Sequence, residues 1–226
     1  MSFAIAKRAA AITASTFVQD GMTVGLGTGS TAFFLIQELG RRCREEGLKI
    51  SCAASSLQTK ALAFQENIPL LDDTSLASLD LTIDGADQID RQKRLIKGGG
   101  GALLREKILA SMSREMVVIA DESKVVEGFE ESLLPVEVVP FGWQATEARL
   151  DELGFSGRLR GGSKSPFVTD NNHYILDIQL PGTTFSPEAA HALLKGATGV
   201  VETGFFLGLA GRVVIGYRGE KVEVWQ

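Results

Sequence analysis

The chain has 226 residues, of which 44% are hydrophobic and 23% charged, the composition of a packed globular protein with a sizeable core. Its formal net charge is −5 and its Lys and Arg residues are spread along the chain, so it lacks the concentrated basic face of a nucleic-acid-binding protein. An anionic small substrate is compatible with this charge, because a phosphate site needs only local donors.

Cysteine and histidine are scarce. Cys43 and Cys52 are too few for a disulfide framework and form no CxxC motif, so we expect free thiols. With only His173 and His191 available, we expect no histidine-based metal site.

The N-terminal stretch has no cleavable signal pattern, because Lys7 and Arg8 interrupt its apolar residues. No run approaches the roughly 20 apolar residues of a membrane span. We therefore expect a cytoplasmic protein that does not bind a membrane.

Strand and helix patterns alternate through the first part of the chain, which predicts an α/β fold with a parallel sheet covered by helices. The predicted helices are 4–17, 31–44, 59–66 and 103–111. The predicted strands are 22–26, 49–54, 79–83 and 116–120. On the first helix, Ile5, Ala9, Ile12 and Thr16 lie roughly on one face.

The pattern changes after residue 124. The elements predicted there are a strand at 135–140, a helix at 144–153, a hairpin within 158–168 around a Gly-Gly-Ser turn, a strand at 174–180, a helix at 187–194, and strands at 212–217 and 221–224. The sequence thus predicts a large domain, 1–129 with 206–226, and a smaller α+β domain, 130–205, inserted before the last strands.

A glycine-rich turn, residues 25–31, joins the first predicted strand to a helix, where open α/β sheets bind ligands. Its glycines allow close approach of an anion to helix N–H groups, and Thr28, Ser30 and Thr31 add hydroxyls. Ser30 stands where a dinucleotide-binding turn has Gly, and the Lys of a phosphate-binding P-loop is absent. The turn predicts a small-phosphate site that includes Gly29; an ordinary tight turn with a helix cap is the alternative.

Two carboxylates, Asp84 and Asp87, flank Gly85 and Ala86 at the end of the strand predicted at 79–83. Carboxylates accept hydrogen bonds from sugar hydroxyls and can relay a proton during ring opening. Mg²⁺ or Ca²⁺ binding and a simple turn with an Asp cap are alternatives. The Ser-Ser-Leu-Gln-Thr segment after the second strand is explained equally well by helix capping and by ligand contact.

Lys97 precedes four consecutive glycines, an entropic cost that favours close approach of the backbone to a ligand. Lys97 can stabilise the oxyanion of an enediolate, and Glu106, on the following helix, can shuttle a proton between adjacent carbons. A solvated Glu106 paired with neighbouring basic residues is the alternative. Lys124 follows a buried strand and is either a second phosphate partner or a surface lysine.

Taken in order, the segments GLGTGSTA, SSLQT, DGADQID, KGGGGALLREK and ADESK resemble ribose-5-phosphate isomerases of the A type. The later segments PVEVVPF, FVTDNNHYILD and GVVETGFF are also similar to that family. The resemblance implies interconversion of D-ribose 5-phosphate and D-ribulose 5-phosphate through a cis-enediolate in the non-oxidative pentose phosphate pathway, with no cofactor and no metal. It also implies a Rossmann-like large domain, a ferredoxin-like smaller domain, and a homo-oligomer, dimer or tetramer.

The resemblance further implies residue roles. Glu106 matches the family's proton acceptor, and we expect Asp84, rather than Asp87, to assist ring opening while Lys97 stabilises the oxyanion. The segments that match the family's substrate-binding residues comprise Thr28, Gly29, Ser30, Thr31, Asp84, Gly85, Ala86, Asp87, Lys97, Gly98, Gly99, Gly100 and Lys124.

The chain departs from the family pattern at Gln88, where many members have Glu, and at residues 158–163 and 197–198. We expect these positions to lie away from the chemical core. Three other classes share parts of the pattern. A sugar-phosphate deaminase usually needs a catalytic His, a sugar-phosphate sensor would carry a DNA-binding extension, and a CoA-handling enzyme would need a larger nucleotide cleft.

Overall fold

The computed structural model describes residues 3–130, 132–182, 186–219 and 221–226. Contacts between Cα atoms divide the chain into two compact units. The first unit comprises Met1–Ala86, Arg105–Val125 and Gly208–Gln226, and the second comprises Asp87–Leu104 and Val126–Leu207. Each unit has its own cluster of buried apolar side chains.

The first unit is built on a six-stranded sheet in the order β13-β12-β6-β3-β1-β2. Its strands are β1 (Thr23–Leu26), β2 (Ser51–Ala54), β3 (Leu81–Asp84), β6 (Met116–Asp121), β12 (Ala210–Gly216) and β13 (Val222–Trp225). All neighbours pair in parallel except β13, which runs antiparallel along β12 at one edge. The predicted parallel sheet is therefore confirmed.

The helices of this part of the chain are α1 (Ala4–Ser15), α2 (Ser30–Glu45), α3 (Leu57–Gln65) and α4 (Leu103–Met112). Local chemistry explains two of their starts. Gly29 has φ of 108°, a conformation that glycine adopts readily, directly before α2. The Ser56 side chain accepts a hydrogen bond from the Thr59 N–H (3.0 Å) and caps α3.

Helix α1 buries its alanine face. Ala6, Ala10, Ala11 and Ala14 are fully buried, whereas two isoleucines on the face singled out from the sequence are 46% and 38% exposed. Gly216 on β12 has no side chain, so the backbone of α1 lies very close to the strand. This close approach leaves room only for small side chains such as alanine on the buried face of α1. A Cβ at Gly216 would overlap the carbonyl group of Ala6.

The strand order creates a switch point that positions the candidate site. The chain moves from β1 to β2 on one side and then returns to β3 on the other side of β1. In sheets of this kind, ligands bind beyond the carboxyl ends of the strands at such a point. The carboxyl ends of β1 and β3 carry the glycine-rich turn and Asp84.

The second unit contains a four-stranded antiparallel sheet in the order β10-β7-β9-β8. Its elements follow the chain as β7 (Leu133–Val138), α5 (Trp143–Glu152), β8 (Gly157–Leu159), β9 (Tyr174–Gln179), α6 (Pro187–Lys195) and β10 (Val200–Thr203). A βαββαβ succession is the ferredoxin-like arrangement. The predicted fold class, a parallel-sheet unit with a smaller ferredoxin-like α+β unit before the C-terminal strands, is confirmed.

A three-stranded sheet completes the second unit and was not predicted. Its strands, β4 (Gln88–Ile89), β5 (Leu95–Ile96) and β11 (Phe205–Phe206), are too short to show a periodic pattern. Through this sheet, residues 87–104 belong to the second unit, whereas the sequence-based division placed them in the large domain. The sequence-based division into domains 1–129 with 206–226 and 130–205 therefore stays a prediction.

The hairpin predicted within 158–168 is wrong. β8 ends at Leu159 and pairs with β9, and residues 160–168 form turns and irregular structure. The Gly-Gly turn does reverse the chain, since the Phe167 N–H donates to the Arg160 carbonyl (2.8 Å). Within the described ranges, no helix is long and apolar enough to span a membrane.

Replacing Gly216 with Ala should destabilise the first unit, because the new methyl group meets backbone atoms that cannot rotate away. We expect the free energy of unfolding to fall by about 2 kcal/mol or more, measured by urea denaturation. Gly196→Ala is the control, since a Cβ there would make ordinary contacts at 3.4 Å and φ is −74°. Equal stability of the two variants would contradict this account of α1 packing.

Candidate active site

The Asp84 carboxylate organises the glycine-rich turn. Asp84 is fully buried, and its Oδ1 accepts hydrogen bonds from the N–H groups of Thr28 (3.1 Å) and Gly85 (2.6 Å). A Cβ at Gly27 would overlap this carboxylate, so only glycine fits there. The structure thus brings Thr28, Asp84 and Gly85 together. The alternative of a turn with an Asp cap is partly correct, because Asp84 does accept backbone N–H groups of the turn.

A cluster of hydroxyl groups supports the same turn. Thr28 Oγ1 lies within hydrogen-bond distance of the hydroxyl oxygens of Ser55 (2.7 Å), Ser56 (2.9 Å) and Thr59 (3.1 Å). Thr59 Oγ1 also donates to the Gly27 carbonyl (2.9 Å). The second hydroxyl segment of the sequence therefore caps α3 and braces the turn.

The start of α2 offers donors to an anion. Ser30 and Thr31 occupy its first turn, where backbone N–H groups lack helical partners and the helix dipole is positive. Gly29 and Ser30 are exposed, so an anion can reach them. These features favour the small-phosphate site over a purely structural turn.

Lys7 lies beside the turn and is a candidate site residue that no sequence motif indicated. Its Nζ donates to Ser30 Oγ (2.9 Å) and lies 3.9 Å from Asp121 Oδ2. Lys7 also lines a cavity that reaches Gly29 and Ser30. It lies on α1, outside every motif, and only folding of α1 over the sheet brings its ammonium group to the turn.

Glu106 lies in the first turn of α4 and is 5% exposed. The positive end of a helix dipole stabilises a carboxylate at that position. The alternative of a solvated surface residue is wrong for Glu106. Lys124 ends the 3₁₀ turn Glu122–Lys124, which follows β6 at the same edge of the sheet as Asp84.

The second unit carries the glycine loop, residues 98–101. Asp87 Oδ2 accepts a hydrogen bond from the Gly99 N–H (2.7 Å), and a Cβ at Gly99 would lie 2.9 Å from the same carboxylate. Gly98 and Gly101 have φ of 104° and 83°, values at which other residues are strained. The structure thus explains three of the four glycines.

Lys97 is 3% exposed and is held next to this loop. Its N–H donates to the Gly204 carbonyl (2.8 Å), and its Nζ lies 5.4 Å from the centre of the Phe206 ring. The aromatic ring attracts the ammonium group and limits its positions.

Of the remaining residues predicted to bind substrate, Ala86 is partly buried and Gly100 is exposed.

Among the residues that the structure describes, no three His, Cys, Asp or Glu side chains group as metal ligands. Cys43 and Cys52 are free. Burial raises the pKa of the Cys52 thiol, so Cys52 stays protonated.

Comparisons with known proteins show the family of the chain. The family model described as ribose 5-phosphate isomerase A (phosphoriboisomerase A) matches residues 51–220. Ribose-5-phosphate isomerase A of Bacillus mycoides is 49% identical over 203 residues, which cover 90% of this chain and 91% of that protein. The chain belongs to the ribose 5-phosphate isomerase A family.

Other members of the family give the same result. Ribose-5-phosphate isomerase A of Protochlamydia amoebophila is 46% identical, with 97% of this chain and 94% of that protein covered. The solved structure of ribose 5-phosphate isomerase A from Methanocaldococcus jannaschii matches the whole of both chains with a TM-score of 0.92 and 36% identity. A D-ribose-5-phosphate isomerase in complex with phospho-erythronic acid matches with a TM-score of 0.90 and 34% identity over 97% of both chains.

Replacing Thr59 with Val should loosen the turn, because Val keeps the volume and removes the hydroxyl that binds the Gly27 carbonyl. We expect the free energy of unfolding in urea to fall by about 1–3 kcal/mol, the cost of unsatisfied buried polar groups. Thr16→Val is the control, since its exposed hydroxyl binds only within the end of α1. A Thr59→Val protein as stable as the control would show that the cluster does not brace the turn.

Proposed function

We propose that the chain interconverts D-ribose 5-phosphate and D-ribulose 5-phosphate through a cis-enediolate, a step of the non-oxidative pentose phosphate pathway. Membership of the family supports the activity. The single observation that carries the mechanism is the burial of Glu106 in the first turn of α4. A carboxylate shielded from water and held in place can move a proton between adjacent carbons.

In the proposed reaction, Glu106 removes the proton on C2 of the open aldose. The electrons of the broken C–H bond form the C1–C2 double bond, and the carbonyl oxygen becomes the enediolate oxyanion. The hydroxyl proton on O2 passes to the neighbouring O1, which the cis arrangement allows, so the negative charge moves to O2. Glu106 then returns a proton to C1 while the C2 carbonyl forms, which gives the ketose. Nothing is oxidised or reduced overall, so a base and an oxyanion stabiliser suffice.

Lys97 and the amides of the glycine loop stabilise the oxyanion in this proposal. The position of Lys97 beside the loop, limited by the Phe206 ring, supports that role. Ring opening is assigned to Asp84, with Asp87 as the second candidate.

The substrate phosphate is assigned to the start of α2. Ser30, Thr31 and the backbone N–H groups supply hydrogen bonds, and Lys7 supplies a positive charge 2.9 Å from Ser30 Oγ. Lys124 is assigned as a further phosphate partner, supported by its position on the same edge of the sheet.

A ligand of one relative is consistent with this chemistry. Phospho-erythronic acid, bound in the D-ribose-5-phosphate isomerase structure, is a phosphorylated four-carbon sugar acid. Its carboxylate spreads negative charge over two oxygens, as an enediolate does. The ligand therefore combines a phosphate with an enediolate-like anion, the two groups that the proposed reaction presents to this chain.

The contacts of the two histidines argue against a sugar-phosphate deaminase, which usually needs a catalytic His. His173 Nδ1 lies 3.0 Å from Oε1 of the buried Glu137, and His191 Nδ1 lies 2.8 Å from Oγ1 of the buried Thr203. Both rings are thus engaged in the structure of the second unit.

We further propose a homo-oligomer, dimer or tetramer, in the cytoplasm. Large apolar side chains that stay exposed, among them Phe64 (79%) and Phe141 (93%), support a subunit interface. The two free thiols fit a reducing compartment. Light scattering during gel filtration tests the oligomer, and a mass equal to one chain would contradict it.

Glu106→Gln keeps the shape of the side chain and removes the base, so kcat should fall by at least about 100-fold. The assay follows ketose formation from ribose 5-phosphate with EDTA present and no added cofactor. Glu152→Gln, on the exposed end of α5, is the control and should keep full activity. Turnover by Glu106→Gln near the wild-type rate would refute the assignment, and an inactive wild-type protein would refute the function.

Lys7→Met should weaken phosphate binding, because a hydrogen bond to a charged group is lost. We expect KM for ribose 5-phosphate and the inhibition constant of inorganic phosphate both to rise by about 10-fold or more. The exposed Lys60, which pairs with Asp73, gives the control Lys60→Met. Unchanged inhibition by phosphate in Lys7→Met would remove Lys7 from the phosphate site.

A further inference from the structure

The side chain of Arg160 reaches the glycine loop. Its Nη1 donates hydrogen bonds to the carbonyl oxygens of Gly98 (2.9 Å) and Gly99 (3.2 Å). All these residues belong to the second unit. The expectation that residues 158–163 lie away from the chemical core is therefore wrong for Arg160, because folding brings it to Gly98 and Gly99, which lie 62 and 61 residues earlier.

Asp177 holds the guanidinium group in place. Arg160 Nε donates to Asp177 Oδ2 (2.9 Å), and Nη2 donates to the other carboxylate oxygen. The side chains are only 18% and 24% exposed, so solvent screens this bidentate pair partly. The pair occupies one edge of the planar group, formed by Nε and Nη2, and leaves Nη1 to face the glycine loop.

A second contact anchors the far end of the loop. The ring of Phe167 lies 5.7 Å from the Arg160 guanidinium carbon, and a Cβ at Gly101 would overlap that ring. The segment from Arg160 to Phe167 thus contacts the loop at Gly98, Gly99 and Gly101.

The contacts of Arg160 with the Gly98 and Gly99 carbonyls also fix the directions of the N–H groups of Gly99 and Gly100. In a planar trans peptide, the carbonyl and the N–H of the next residue point in opposite directions. The Gly98 carbonyl faces Arg160, so the Gly99 N–H points away from it and meets Asp87 Oδ2 at 2.7 Å. The Gly99 carbonyl also faces Arg160, so the Gly100 N–H is directed away from the guanidinium as well.

We propose that Arg160, held by Asp177, is a positioning residue that orients the Gly100 amide and the Asp87 carboxylate for the isomerisation. This inference rests on the proposed function. Consecutive glycines have many backbone conformations, and oxyanion stabilisation needs donors that are oriented before the charge develops. Arg160 selects one loop conformation without touching the sugar.

The test compares Arg160→Gln and Asp177→Asn with the matched control Arg158→Gln. Arg158 is exposed on β8, and its Cα lies opposite that of Asp177, yet the ion pair is made by Arg160. We expect kcat for ribose 5-phosphate to fall by about 10-fold or more in both test variants, less than the roughly 100- to 1000-fold cost of removing an oxyanion donor, because the Gly100 amide remains but is misoriented. The inhibition constant of inorganic phosphate should stay at the wild-type value, because the phosphate is assigned to the α2 turn.

Two further variants separate positioning from general loss of structure. The double variant should be no slower than Arg160→Gln, since both changes remove one coupled unit. Arg160→Lys keeps a donor and should recover part of kcat, but not all, because Lys lacks the planar fork. Wild-type kcat in Arg160→Gln, or a parallel loss of phosphate inhibition, would overturn the inference while leaving the isomerase function intact. Absence of isomerisation by the wild-type protein would instead overturn the proposed function.

Discussion

The carboxylate of Asp84 is the constraint on which the first unit's site depends. It is buried at the end of β3 and accepts the N–H groups of Thr28 and Gly85, so it ties the turn after β1 to the neighbouring strand. A buried charge is costly unless such donors satisfy it. This requirement explains why Gly27 has no side chain, because a Cβ there would overlap the carboxylate. The same turn leads directly into α2, whose first N–H groups lack helical partners.

Most of the fold followed from local pattern, and its errors have physical causes. β6 was predicted readily because all six of its residues are buried and the first five are apolar. Only the last residue, Asp121, is polar. The two-residue strands β4, β5 and β11 carry too little sequence to show a period, and they were missed. The hairpin failed because a Gly-Gly turn marks a reversal of the chain but does not specify that a second strand pairs after it.

The candidate site shows the same division between local and distant information. Glycine turns and the charged residues beside them predicted Thr28, Asp84, Asp87 and Glu106. Close approach of a backbone to another group requires glycine, and glycine is visible in the sequence. Lys7 and Arg160 have no such signal. Each is an ordinary basic residue, and each reaches a glycine segment only through tertiary packing.

Asp84 and Asp87 share a feature that affects how their roles are assigned. Each accepts an N–H from a glycine segment, Asp84 from the turn that begins α2 and Asp87 from Gly99. An Asn replacement would remove a proton relay and would also present an NH₂ group to backbone donors, which displaces the loop. A loss of activity in such a variant therefore cannot distinguish ring opening from loop geometry. An acyclic substrate would distinguish them, because it needs the loop but not the ring-opening step.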